Sequence, residues 1–180
     1  DNRAARAEAA RKLCEAIGDS GEIAIVSHQS SAQTSIERTE GFSEEIAQNH
    51  PNVTIVQTCY SDVEEDLETS MDNLFQQYPQ LQGIFCTNQV VSDMALGVLE
   101  KQENPVKMVG FDYSEAQQEA IESGLEYGTI SQNPYSLGYA MIVAAARAAG
   151  EMPVDSFIDA GYQWMDQSNI AAEGMELYRY

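Results

Sequence analysis

From residue 22 onward the chain alternates short runs of β-branched and aromatic residues with longer amphipathic stretches. This alternation restricts the available folds more than any other feature. The short runs lie at 22–27, 53–57, 83–87, 106–111 and 127–131. The helical stretches lie at 35–49, 62–78, 92–102, 115–123 and 136–149, after a first helix at 2–17 that stops at Gly18. Strands separated by helices of that length imply βαβ crossovers, and so a parallel sheet covered on both faces. The breakers agree. His50-Pro51, Tyr78-Pro79 and Asn104-Pro105 fall at helix ends, and Gly124 follows its helix where a C-terminal cap belongs. Past Pro153 come a weaker run at 156–161 and an irregular tail. The expected fold class is α/β, one doubly wound parallel sheet with no domain boundary inside it.

With 180 residues and 43% hydrophobic content, the chain can bury one well-packed core. Its longest apolar stretch, near 140–146, is far short of the roughly 20 residues a membrane span needs. The net charge of -20, from 9 basic against 29 acidic residues, argues against nucleic acid and anionic membranes as partners. Cys14, Cys59 and Cys86 have no short spacing, so the sequence implies neither a disulfide framework nor a zinc site. Cys86, inside Ile84-Phe85-Cys86, reads as a core residue.

In an open parallel sheet, ligands bind beyond the carboxyl ends of the strands. The polar residues there are the loop 27–35 with Arg38 in the following helix, then Tyr60, Ser61 and Asp62, then Asn88, Asp112 and Gln132. Strands of similar length put Asn88, Asp112 and Gln132 on one rim. A guanidinium, planar amides and a carboxylate suit a polyhydroxylated ligand, whose neighbouring hydroxyls planar groups bridge in pairs. Helix capping is the competing use: Asp112, two residues before Ser114, also fits an N-cap.

Catalytic and cofactor signatures are missing. His28, beside Ser27 near the rim, is the one candidate acid or base, and no Gly-x-Ser-x-Gly elbow accompanies it. His50 reads as a surface residue at a helix end. Ser27-His28-Gln29-Ser30-Ser31 carries no glycine, which argues against a phosphate loop. The acidic run from Asp62 to Glu68 lacks calcium-loop spacing and reads as a solvated helix start. The sequence therefore implies no catalytic residues, no metal and no cofactor.

The stretches Glu37-Arg38-Thr39-Glu40-Gly41-Phe42, Asp93-Met94-Ala95-Leu96-Gly97, Val109-Gly110-Phe111-Asp112 and Ile130-Ser131-Gln132-Asn133-Pro134-Tyr135 resemble type I periplasmic binding proteins, nearest the ribose- and galactose-binding branch. The opening Asp1-Asn2 and its Ala-rich helix are similar to the family's entry into its second lobe. The segment between Asn88 and Met94 is longer than the family pattern, which bears on the pocket edge. The resemblance implies a flavodoxin-like lobe of a two-lobed fold, with 1–132 as the C-terminal ligand-binding lobe. Residues 133–160 would be a helix and strand returning to a missing N-terminal lobe, and 161–180 a tail re-crossing. It further implies sugar contacts at Arg38, Asn88, Asp112 and Gln132, with Tyr60 or Ser61 in a region that supplies an aromatic wall. The implied function is binding of a monosaccharide outside the cytoplasm, for an ABC-type importer or a sensor, the signal not being visible in this chain. The effector core of a LacI-type transcription regulator shares the fold and stays open as an alternative. The apolar face of the helix 136–149 is expected to pack on this sheet or to pair in a homodimer.

Overall fold

The computed structural model describes residues 2–63 and 66–179. Its sheet has the order β2-β1-β3-β4-β5-β6. The strands are β1 (Gly21–Ser27), β2 (Val53–Tyr60), β3 (Leu81–Cys86), β4 (Lys107–Phe111), β5 (Gly128–Gln132) and β6 (Tyr162–Asp166). β1 to β5 are parallel, and β6 closes the edge antiparallel to β5. This is the flavodoxin-like order with one added edge strand.

Alternation along the strands separates two cores. Ile23 and Ile25 of β1 point to the face covered by α1 (Asn2–Ile17) and α2 (Gln33–Asn49), where Leu13, Phe42, Phe85 and Val109 join them. Ala24 and Val26 point to the opposite face, under α3 (Leu67–Gln77) and α4 (Gln89–Leu99), with Met71, Leu74, Ile84 and Met108. Fully buried strands explain why the runs read as continuous apolar segments. Cys14, Cys59 and Cys86 are buried in these cores and are not joined by disulfides.

Several boundaries differ from the sequence reading. The helix expected at 62–78 begins only at Leu67. Asp62 is pinned elsewhere, its carboxylate accepting bonds of 2.8 Å from both the amide and the hydroxyl of Ser30, while Asp66 is the N-cap residue of the helix and Glu68 lies in its first turn. Glu64 and Glu65 of that run, like Asp1, lie outside the described residues. The helix expected at 92–102 begins at Gln89, because Asn88 caps it through a 3.1 Å bond from the Val91 amide to Oδ1. Residues 156–161 form no strand; the strand is β6, whose Trp164 and Met165 are buried. His50 is not a surface residue, its side chain being only 14% exposed.

α5 (Glu115–Ser123) starts at Ser114, whose hydroxyl accepts from the Gln117 amide at 3.0 Å, and ends at Gly124 with φ of 85°. Between this helix and the sheet lies a buried polar cluster. Gln117 Nε2 donates to Glu126 Oε1 and to Thr129 Oγ1, both at 3.2 Å. Gln117 Oε1 and Glu126 Oε2 have no partner among the described residues. Burial is the main force pushing the Glu126 carboxyl well above its ordinary value of 4.5; the bond from Gln117 opposes it. A proton on Glu126 supplies the donor that this acceptor-rich cluster lacks.

The last helix, α6 (Pro134–Ala149), is capped by Asn133, with Pro134 in its first turn. It buries none of its residues: Tyr135, Leu137, Tyr139, Met141 and Ile142 are all exposed. The expected packing of this helix on the sheet does not occur.

Two outcomes follow from this packing. A Cβ on Gly128 would sit 2.6 Å from the Met165 carbonyl oxygen and 2.4 Å from the Trp164 ring, whereas one on Gly97 in α4 meets nothing within 4 Å. In urea melts, Gly128→Ala should destabilise by about 1–3 kcal/mol, and Gly97→Ala should stabilise by about 0.5–1 kcal/mol. For Glu126, the native state holds a proton that the unfolded chain releases above pH 4.5. Stability from this group is therefore complete below that value and falls as pH rises toward the raised native value. Glu126→Gln should remove the decline, so its stability advantage over the wild type should widen between about pH 5 and pH 7.

Candidate functional site

The carboxyl ends of β1, β3, β4 and β5 carry the polar side chains of interest. Arg38 projects from α2 onto this edge with its side chain only 8% exposed. Its Nη1 donates to the Thr87 carbonyl oxygen at 2.5 Å and to Asp112 Oδ2 at 3.3 Å. The guanidinium lies 3.7 Å over the ring of Phe111, a desolvated cation–π contact that fixes its plane.

Asp112 follows β4 in a left-handed conformation, φ 72°. Aspartate tolerates that region better than most residues, at some cost in strain. Flanking bonds hold it there: its amide donates to the Ile130 carbonyl oxygen at 2.8 Å, and its own carbonyl accepts from Thr129 Oγ1 at 2.8 Å. The carboxylate then bridges two planar groups, Arg38 through Oδ2 and Gln132 Nε2 through Oδ1 at 2.7 Å. It does not cap α5, which Ser114 does.

Asn88, directly after β3, spends Oδ1 on the α4 cap, which leaves its NH2 group as the side chain's donor. Capping and rim placement, the competing uses in the sequence, coincide in one residue. Tyr60 and Ser61 stand apart. They end the edge strand β2, three strand spacings or about 14 Å from β4, and the Ser61 hydroxyl is committed to the His28 carbonyl at 2.5 Å. Arg38, Asp112 and Gln132 thus form one bonded chain with Asn88 beside it, and Tyr60 and Ser61 mark the far end of the same edge.

A hydroxyl relay underlies this rim. Ser27 Oγ pairs with Ser35 Oγ at 2.5 Å, Thr87 Oγ1 donates to Ser27 Oγ at 3.2 Å, and Thr87 Oγ1 accepts from the His28 amide at 3.1 Å. Sequence reasoning passed over Thr87 because it closes an apolar run. Its position directly after Cys86, at the strand end, was the available signal. His28 is held between Thr87 at 2.9 Å and Thr34 at 3.4 Å. Burial, then the charge of Arg38, lowers its pKa below 6.5, so the ring is neutral at physiological pH. Beside Gln132 a cleft of about 160 Å³ opens between Phe111, Leu137 and the segment 157–162.

Comparison with known proteins gives this arrangement a context. Residues 1–152 match the family model described as a periplasmic binding protein domain. The ribose import binding protein RbsB of Haemophilus influenzae is 27% identical over 161 residues, covering 86% of this chain and 55% of that protein. Its Escherichia coli counterpart is 33% identical over 106 residues, 57% of this chain and 34% of that protein. An ABC transporter solute-binding protein from Agrobacterium vitis, solved with bound α-D-tagatopyranose, superposes with a TM-score of 0.91 at 26% identity, covering 100% of this chain and 61% of that one. The chain therefore spans about half the length of the Haemophilus protein and a third of the Escherichia one. With the family model matched over most of its residues and the same fold in a solved relative, this chain belongs to the periplasmic binding protein family.

Proposed function

We propose that this chain is the C-terminal lobe of a solute-binding protein that captures a neutral monosaccharide or similar polyol outside the cytoplasm, for an ABC-type importer or a sensor. The bonded chain Arg38–Asp112–Gln132 carries this reading. A carboxylate flanked by a guanidinium and a primary amide offers acceptors and donors in fixed planes, the pattern that adjacent sugar hydroxyls require. The pairing also cancels the Arg38 charge, which suits an uncharged ligand better than an anionic one. The names of the relatives, which include ribose import proteins and a tagatose-bound solute-binding protein, point the same way. The role is binding and not catalysis: His28 is held neutral between two threonines and serves as a rim donor or acceptor.

In this reading 1–132 form the ligand-binding lobe, 133–160 run to a second lobe, and 161–180 return to pair β6 with β5. The bare apolar face of α6 supports it, since Met141 is 63% and Ile142 72% exposed. A helix that apolar is stable only when covered. Closure of two lobes also supplies the water exclusion that one open rim lacks, so a single lobe should bind weakly.

In the intact protein, a thermal-shift screen against neutral pentoses and hexoses should show stabilisation by one sugar. Arg38→Met and Asp112→Asn should each weaken its binding by about 1.5–3 kcal/mol, measured by calorimetry, the scale of a lost charge-assisted bond. Unchanged affinity in both variants would remove the rim from the site, and stabilisation only by anionic ligands would overturn the sugar assignment. Expressed alone, the 180-residue chain should self-associate through α6. The double substitution Met141→Lys and Ile142→Lys should return it to a monomer in sedimentation velocity; a wild-type chain that stays monomeric with α6 protected from hydrogen exchange would contradict this.

A further inference from the structure

At the opposite end of the sheet from the rim, where the strands begin, three potential metal ligands converge from separate elements. Cys14 lies in the last turn of α1 with 1% exposure, Asp19 is in the turn leading to β1, and His50 is the C-cap residue of α2. Their ligand atoms all lie within 4.8 Å of one another. We propose that Cys14, Asp19 and His50 bind a divalent transition-metal ion of the zinc type, with water completing the shell.

The donor set carries the proposal. One thiol, one imidazole and one carboxylate are the ligand types that a borderline-soft cation selects, and three protein ligands with an open fourth position form a common arrangement. Zinc bonds of about 2.0–2.3 Å put tetrahedral ligands about 3.3–3.8 Å apart, so ligand atoms that lie within 4.8 Å of one another need close by about 1 Å at most, while the His50 Nδ1–Asp19 contact would open if both atoms bind the ion.

The local structure fixes each donor. Asp19 takes a left-handed conformation, φ 57°, held by a 2.8 Å bond from its amide to the Cys14 carbonyl oxygen. His50 is tied at both sides, its amide to Ile46 and its carbonyl to Val53, each at 3.0 Å. The ring is only half satisfied: Nδ1 pairs with the Asp19 carboxylate, while Nε2 is buried with no partner among the described residues. An unmet polar atom at that depth is costly, and an ion or its water shell would meet it.

The surrounding field favours a cation. Glu45 lies close enough to influence Cys14, and Arg11, which pairs with Glu45, is shared with Glu8. Binding replaces the Cys14 thiol proton with the metal, and the proton leaves to solvent. The wide sequence separation, 31 residues between Asp19 and His50, hides this cluster from spacing rules, and the proposal departs from the sequence expectation of no metal site.

The test uses the intact protein, reduced and chelator-stripped, titrated with Co²⁺ as a probe and then with Zn²⁺. Expected is one equivalent of Co²⁺ giving a near-ultraviolet sulfur-to-cobalt charge-transfer band that Zn²⁺ abolishes. The band should vanish in Cys14→Ser, and His50→Gln should weaken Zn²⁺ affinity by about 100-fold or more. Far-UV circular dichroism would confirm folding of both variants, and Asp19→Asn, at an exposed position, gives a further variant with little risk to the core. Because the cluster lies at the other end of the sheet, all three variants should bind sugar as the wild type does. Failure to bind metal is thereby distinguishable from failure of the sugar assignment. Absence of the band, or its persistence in Cys14→Ser, would overturn the proposal.

Discussion

A strand buried on both faces has no room for polar side chains along its length, and β1, held in parallel register between β2 and β3, is such a strand. Ile23, Ala24, Ile25 and Val26 are all fully buried, divided between the two cores. Polar chemistry is thereby forced to the strand ends, and parallel pairing gathers all ends of one kind along one edge. The carboxyl edge collects Ser27, Thr87, Asp112 and Gln132. The amino edge, reached by the C-termini of α1 and α2, collects Cys14, Asp19 and His50. Both candidate sites are consequences of the same restriction.

At the carboxyl edge the geometry is set before any ligand arrives. Arg38 is locked by Phe111 beneath it, by the Thr87 carbonyl and by Asp112. Asp112 is locked by Thr129 and Ile130 in a backbone conformation that costs about 1 kcal/mol or more. A nearly buried ion pair adds little to stability, since desolvation offsets most of its Coulomb energy. What it provides is orientation: a ligand bound here as proposed would not have to order these side chains, which is a substantial share of the cost of binding.

The sheet was legible because its signal is local. Apolar runs bounded by Gly, Pro and polar clusters marked β1 to β5, and each expected run overlaps an observed strand. Asn88, Asp112 and Gln132 were legible by position, since a residue at the carboxyl end of a parallel strand must lie on the rim, and Arg38 by its place early in the helix that follows β1. What escaped depends on contacts between distant segments. Asp62 serves the Ser30 loop and not a helix start, a bond across 32 residues. β6 carries a polar, glycine-led pattern, Tyr162-Gln163-Trp164-Met165-Asp166, and becomes a strand through pairing with β5 and the space left over Gly128. His50 looked like a surface residue because nothing near it in sequence announces Cys14 or Asp19.

α6 shows the limit of the same reasoning from the other side. Its apolar pattern marked it as a helix at 136–149, and the structure starts it two residues earlier, at Pro134, capped by Asn133. Helix formation and helix burial are separate questions, however: propensity and caps answer the first, while the second needs a partner surface. The sheet has no bare face left to offer, because α1 and α2 cover one side while α3, α4 and α5 cover the other. The exposed residues from Tyr135 to Ile142 therefore gain no burial from the sheet, which is the observation on which the proposed second lobe rests. Its first turn adjoins Gln132 and lines the cleft through Leu137. In the proposed two-lobed reading, a lobe covering α6 would therefore lie beside the rim and would couple that contact to the proposed ligand site.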